Sequence, residues 1–153
     1  MTSSISIITA TYNSSSTICD CLKSINSQTI PVEHVVIDGA STDNTLDLVR
    51  ETSPHAHIVS EPDTGIYDAM NKGLCLATGD VIGILNSDDF YADPNLLGTL
   101  KNIFEDPEID ACYSDLVYVA QENTDRIVRY WKSSPYREGL FEKGWVPPHP
   151  TFF

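Results

Sequence analysis

The apolar positions of the first hundred residues fall into four short, mostly β-branched runs, each closed by polar residues and followed by apolar positions at helical spacing. Residues 5–11, 35–37, 57–60 and 81–85 have the length and boundaries of strands buried on both faces of a parallel sheet. For residues 81–85 periodicity alone also admits a buried helical segment. Ile18, Leu22 and Ile25 recur at i, i+4 and i+7 and predict a first helix ending near Gln28, before Pro31. Leu46 and Val49 mark a second helix. Ile66, Ala69, Met70, Gly73, Leu74 and Ala77 mark a third, stopped by Gly79. Leu96, Leu97, Leu100, Ile103 and Phe104 mark a fourth, started at Asp93-Pro94 with proline in its favoured first position. This βαβαβαβα alternation predicts an α/β fold, a three-layer α/β/α sandwich around a mainly parallel central sheet.

After Pro107 the pattern changes. Residues 111–120 and 126–131 are strand-like and flank a polar stretch, 121–125, which predicts a hairpin. Residues 132–150 carry Pro135, Gly139, Gly144, Pro147, Pro148 and Pro150 and read as a loop, after which Thr151-Phe152-Phe153 opens another strand-like run. The expected organisation is one structural domain, with an α/β body over 1–120 and an incomplete segment over 121–153.

Charge changes this picture more than composition does. A net charge of −13 over 153 residues argues against non-specific nucleic-acid binding. It is unevenly spread: 20 acidic against 4 basic residues up to residue 125, then 2 against 5. A basic tail on an acidic body suits contact with an anion or a membrane surface, or a merely solvated hairpin. Cys19, Cys21, Cys75 and Cys112 form no CxxC pair and no ligand spacing with the histidines, so they read as small, mostly buried thiols in a reducing, cytoplasmic setting. No leader and no apolar run of spanning length is apparent.

The candidate chemistry sits at the strand ends. Asn86-Ser87-Asp88-Asp89 follows the fourth strand, and ligands of open α/β sheets bind outside the carboxyl ends of the strands. Two adjacent carboxylates at ~4–5 Å and an effective dielectric of ~20 repel by roughly 3–4 kcal/mol. A hard divalent cation removes that repulsion and bridges one or two carboxylates to phosphates; an Asx turn before the next helix is the alternative. Asp38-Gly39 ends the second strand as either a base acceptor or an Asx turn. Tyr12 either stacks on a base or packs over the first helix. Asp68 and Lys72, spaced i, i+4, make an ordinary surface pair of ~0.3–0.5 kcal/mol, yet polar residues crowd the whole string from Asp63 to Gly73. Neither G-x-G-x-x-G nor a phosphate loop is present, so a diphosphate would have its charge met by a metal.

Thr9-Ala10-Thr11-Tyr12-Asn13, the segment Val36-Ile37-Asp38-Gly39-Ala40-Ser41-Thr42-Asp43-Asn44-Thr45, the string from Asp63 to Gly73, and Asn86-Ser87-Asp88-Asp89 together resemble family-2 glycosyltransferases of the GT-A fold. The resemblance covers roughly residues 4–120. It implies inverting transfer of a hexosyl or N-acetylhexosaminyl group from a nucleotide-diphosphate donor, usually UDP-linked, to a saccharide or lipid-linked acceptor in surface-polysaccharide synthesis. It places Thr9, Ala10, Thr11, Tyr12, Asn13, Asp38, Gly65, Asp68, Lys72, Asn86, Ser87 and Asp88 around the nucleotide sugar. Within that set Thr9, Tyr12 and Asp38 would hold the base and Asp88 the ribose. Asp89, with Asp88, would hold Mn²⁺ or Mg²⁺. Many relatives have a carboxylate where this chain has Asn86. Residues 145–153 look like the start of an acceptor side in transferases of bacterial surface polysaccharides, whose general base lies further on. Here Glu138, Glu142 and His149 are the available proton acceptors, and His149 is the candidate catalytic base. The excess of basic residues in the tail suits peripheral contact of residues 126–143 with the inner face of a membrane, as expected for a membrane-borne lipid acceptor. A nucleotide-sugar-binding module without turnover is the alternative.

Overall fold

Strand β1 (Ile5–Thr11) is buried along its whole length because strands flank it on both sides and helices cover both its faces. In a computed structural model that describes residues 3–153, β1 pairs in parallel with β2 (Glu33–Asp38), from Ser6↔Glu33 to Thr11↔Asp38. On its other edge it pairs with β4 (Val81–Ile84), from Ile5↔Val81 to Ile8↔Ile84. β3 (His57–Ser60) adds to β2, giving a parallel sheet of order β3-β2-β1-β4. The expected α/β sandwich is present.

Strand side chains alternate between faces, and each face has its own core. Ile8, Ala10, Val35 and Ile37 meet Ala69 of α3 (Ile66–Leu76). Val36 meets Ile18 and Leu22 of α1 (Ile18–Asn26) and Val49 of α2 (Thr45–Thr52) on the opposite face. Apolar cover on both faces is why the strands read as continuous apolar runs rather than alternating ones. α3 approaches β1 so closely that a Cβ on Gly73 would stand 2.4 Å from Ile8 Cγ2. Gly73→Ala is therefore expected to destabilise by ~1–3 kcal/mol through overpacking, although alanine is the better helix former. Urea unfolding checks this: an unchanged or raised midpoint would show that α3 moves aside.

α4 (Leu96–Ile103) begins later than Pro94 because Asp93 closes a turn first: its Oδ1 accepts from Asn95 N–H at 2.8 Å and its carbonyl from Leu96 N–H at 3.1 Å. Pro94 lies within that turn. All four cysteines are free; Cys21 is buried, Cys19 and Cys112 are half-buried, and Cys75 is exposed, contrary to the expectation of mostly buried thiols.

The chain divides into two compact units between Asp110 and Ala111. The expected division after residue 120 falls inside the hairpin, whereas β5 (Leu116–Ala120) belongs with its partner β6 (Asn123–Trp131). Strand β6 starts earlier than expected because Asn123 pairs with Ala120, leaving only Gln121 and Glu122 in the turn. Asp115 closes the base of the hairpin, accepting from Tyr130 Oη at 2.7 Å and from Ser133 N–H at 2.8 Å. Residues 149–151 form a 3₁₀ turn rather than a strand. Phe153, just beyond, exchanges both backbone hydrogen bonds with Cys112 at 2.9 and 3.0 Å, as an antiparallel strand pair would.

Candidate functional site

The strand order reverses between β1 and β4: the chain runs outward through β2 and β3, then crosses back to the far side of β1. Such a switch point leaves a crevice at the carboxyl ends of the two strands. Residues 12–14 line one side and residues 86–89 the other. Leu85 N–H still pairs with Ile8 carbonyl at 2.9 Å; the chain then turns, with Asp89 N–H donating to Asn86 carbonyl at 3.0 Å. The turn leaves Asp88 exposed, Asp89 half-buried and Ser87 buried. Ser87 Oγ donates to Ser14 Oγ at 2.8 Å, tying the two sides together.

Asn13 is the pivot of the β1 side. It holds a left-handed backbone, φ 49°, which asparagine tolerates better than most residues. Its N–H donates to Ser41 Oγ at 2.8 Å and its Oδ1 accepts from Thr42 N–H at 2.9 Å. Ser14 N–H donates to Thr45 Oγ1 at 2.8 Å and Ser15 N–H to Asp43 Oδ2 at 3.2 Å. The Thr45 and Ser15 donors hold the Asp43 carboxyl down at about 2. The loop after β1 is thereby clamped to the loop after β2. Ser41, Thr42, Asp43 and Thr45 are structural parts of the site whose separate role is not legible in the sequence, although their density of capping side chains is a visible signal.

Asp38 is fully buried at the end of β2. Its carboxylate accepts from Ser41 N–H at 3.0 Å, Ser60 Oγ at 2.6 Å and Ser41 Oγ. A carboxylate accepts at about four lone-pair sites, so among the described residues one stays open. Thr11, its register partner, is buried with no hydrogen-bond partner for Oγ1 among the described residues. A buried hydroxyl left so is uncommon and marks a place where a ligand or water completes the bonding. Thr9 and Ala10 are set back from this edge. Thr9 Oγ1 pairs with His34 Nε2 at 3.0 Å, and Ala10 packs towards α3. Tyr12 is 61% exposed rather than packed over α1. Its ring and the Asp63 carboxylate crowd Gly39, where a Cβ would lie 2.6 Å from Asp63 Oδ2 and 3.4 Å from Tyr12 Cδ2. Gly39 is the residue that admits both.

The start of α3 forms a polar rim. Gly65, with φ 123°, caps the helix, and its N–H donates to Asp63 Oδ1 at 2.8 Å. Asp68 accepts from Thr64 N–H at 3.0 Å, which lowers its carboxyl pKa, with help from Lys72. Lys72 reaches Glu61 at 2.8 Å and Pro62 carbonyl at 3.1 Å, and Asp68 only at 3.7 Å. It staples the β3–α3 loop more than it pairs along the helix.

Among the described residues no group of three or more His, Cys, Asp or Glu side chains is placed to hold a metal. The adjacent pair Asp88-Asp89 suits the other mode, in which Mg²⁺ or Mn²⁺ takes one or two protein carboxylates and completes its shell with water and phosphate oxygens. Burial, with Asp89 and Asp88 nearby, pushes the Cys21 thiol up to about 12. Glu138, Glu142 and His149 lie exposed in the second unit.

Comparison with known proteins decides the family. The sequence profile of Glycosyl transferase family 2 matches residues 6–153. The chain belongs to glycosyl transferase family 2. A PGL/p-HBAD biosynthesis glycosyltransferase of Mycobacterium bovis is 38% identical over 118 residues, covering 73% of this chain and 46% of the relative. An uncharacterised glycosyltransferase of Escherichia coli is 28% identical over 142 residues, 88% of this chain and 39% of its own length. The chain thus spans less than half of these curated family-2 relatives. Among solved structures, a Pyrobaculum calidifontis mannosyltransferase in complex with GDP-Man and Mn²⁺ superimposes with a TM-score of 0.68 at 32% identity, covering 74% of this chain and 36% of that one. S. aureus TarS with UDP-GlcNAc gives 0.64 at 27%, covering 71% and 33%. The family-2 resemblance and the GT-A fold are both borne out. Among the described residues no helix is long and apolar enough to cross a membrane.

Proposed function

We propose that the chain binds a nucleoside-diphosphate sugar, expected to be UDP-linked, in the crevice between the ends of β1 and β4. It would then pass the hexosyl or N-acetylhexosaminyl group, with inversion, to a saccharide or lipid-linked acceptor of a surface polysaccharide. The carrying observation is the strand-order switch between β1 and β4, which sets the clamped Tyr12-Asn13 loop on one side and Asp88-Asp89 on the other. The base lies against Tyr12, with Thr11 Oγ1 and the open site of Asp38 as hydrogen-bonding groups. Asp88 faces the ribose, and the rim formed by Gly65, Asp68 and Lys72 faces the sugar end. Asp89, with Asp88, would hold Mn²⁺ or Mg²⁺, which supplies charge neutralisation for the diphosphate. Support comes from the GDP-Man, UDP-GlcNAc and Mn²⁺ complexes of the similar structures.

Calorimetric titration tests it. UDP should bind more tightly with Mn²⁺ than without, and Asp89→Asn should erase that difference while circular dichroism stays unchanged. The expected loss is at least the ~10–100-fold that follows removal of a partner outside the metal's own shell. Equal UDP affinity with and without Mn²⁺ in the unaltered protein would reject the metal role. A non-catalytic donor-binding module is the second reading, favoured by the exposure of Glu138, Glu142 and His149. Slow Mn²⁺-dependent release of sugar from bound donor separates the two.

The acceptor reading also places residues 126–143 against the inner face of a membrane. Arg126, Arg129 and Lys132 lie exposed on or just after β6 beside Ile127, Val128 and Tyr130, each more than half exposed. Each basic residue near an anionic bilayer contributes ~1 kcal/mol and is screened by salt. Flotation with anionic liposomes should show binding at low salt that high salt removes; no binding at low salt rejects the contact.

A further inference from the structure

The second unit carries an aromatic cluster with no role in the donor crevice. Trp145 stands at its centre, with ring centroids 5.5 Å from Tyr113, 5.8 Å from Tyr136 and 5.6 Å from Phe141; Tyr136 and Phe141 are 5.3 Å apart. The backbone builds it. Gly144, at φ 78°, ends the 3₁₀ turn Phe141–Lys143. Its N–H donates to Phe141 carbonyl at 2.9 Å, and Trp145 N–H donates to Leu140 carbonyl at 3.1 Å. These are the paired bonds of a Schellman closure, which turns the next residue back over the helix it ends. The polar handles are tied to one residue: Trp145 Nε1 donates to Ser134 Oγ at 3.1 Å and Tyr113 Oη to Ser134 carbonyl at 2.9 Å. The rings are fixed before any ligand arrives, yet Tyr136 stays 49% and Phe141 58% exposed.

We infer that the exposed faces of Tyr136 and Phe141, backed by Trp145, are a stacking platform for a pyranose ring of the acceptor. This rests on the transferase reading and deepens it. A π face is electronegative, and the axial C–H bonds of a pyranose present a weakly positive apolar face that complements it. The surroundings select this occupant. Arg137, Glu138, Glu142 and Lys143 are all exposed around the rings, two cations and two anions. That balanced rim offers donors and acceptors to hydroxyls, whereas the bilayer contact proposed above rests on Arg126, Arg129 and Lys132 of the hairpin. Rigid aromatics also lose little entropy on binding, which matters for a weak ligand.

Saturation-transfer NMR with cellobiose, maltose and mannobiose tests the platform, with sorbitol as a polyol that lacks a ring face. The expected result is transfer to pyranose ring protons, shifts of the Trp145 indole and Phe141 ring signals, and no comparable effect from sorbitol. Phe141→Ala should weaken disaccharide binding roughly ten-fold. Phe141→Leu, which keeps bulk without a π face, should weaken it nearly as much and guards against simple unfolding. UDP–Mn²⁺ affinity, measured on the same samples, should be unchanged. Three results overturn the platform: no transfer from any disaccharide, equal transfer from sorbitol, or ring signals that respond to lipid vesicles or to protein dilution but not to sugar. If UDP binding is intact in those samples, only the platform fails; if UDP binding is absent as well, the transferase reading fails with it.

Discussion

Asp38→Ala is expected to cost on the order of 3 kcal/mol of stability and to weaken UDP binding more than pyrophosphate binding. The carboxylate is fully buried and joins Ser41 from the following loop to Ser60 from the end of β3. Removing it strands the half-buried Ser41 N–H and two hydroxyls. A stranded buried donor costs ~1–3 kcal/mol, and the hydroxyls recover part of that by turning to other partners. Ser41 Oγ also receives Asn13 N–H, so the loss spreads to the loop that carries Tyr12. If the open acceptor site on Asp38 reads a base N–H, as proposed, UDP should lose more affinity than pyrophosphate does. Urea unfolding measures the first effect and paired titrations the second. Equal weakening of both ligands would show that Asp38 shapes the loop without reading the base.

The second large effect is a loss of stability between about pH 6.5 and pH 4, carried by His34. Burial pushes its imidazole from 6.5 down to about 4, so the fold holds it neutral. Its Nε2 meets Thr9 Oγ1 at 3.0 Å, while Nδ1 has no hydrogen-bond partner among the described residues. The folded-state pKa is depressed, so the unfolded chain takes up the proton first. Stability is full above about 6.5 and falls as pH drops towards 4, by on the order of 3 kcal/mol. Asp43, held at about 2, loses its contribution only below about 3.8, beneath this window. Urea midpoints at about pH 7 and about pH 4.5 should therefore differ in the unaltered protein and converge in His34→Gln. A difference that persists in the variant would assign the loss to another group.

The sequence exposed the first unit's strands because helices on both faces demand apolar residues throughout, and Ile5–Thr11 satisfies that demand. It also showed which strand ends carry chemistry, since Asp38 and Asp88-Asp89 follow apolar runs directly. What it hid depends on loops meeting across the sheet. Nothing in Asn13 or Thr45 taken singly shows that they join the β1 and β2 loops. The commitment of Thr9 to His34 is invisible until β1 and β2 lie in register. Strand β6 lost its early boundary for a different reason: exposed over nearly its whole length, it has no buried face to impose alternation. The start of α4 was displaced by a side chain, Asp93, that closes its own turn before Pro94 can open the helix.

The proposed function requires a nucleoside diphosphate and a divalent ion to meet at the carboxyl edge between β1 and β4. Paramagnetic broadening of amide signals by substoichiometric Mn²⁺, with and without UDP, tests this most directly. With UDP present, the signals of Asn86, Ser87, Asp88 and Asp89 should broaden first, followed by those of Thr11, Tyr12 and Asn13. Signals at the amino ends of the strands, such as Ile5 and His34, should stay sharp. Without UDP the broadening should be weaker at the same turn. Broadening centred instead on the acidic stretch from Glu105 to Asp110, or unchanged by UDP, would contradict the account.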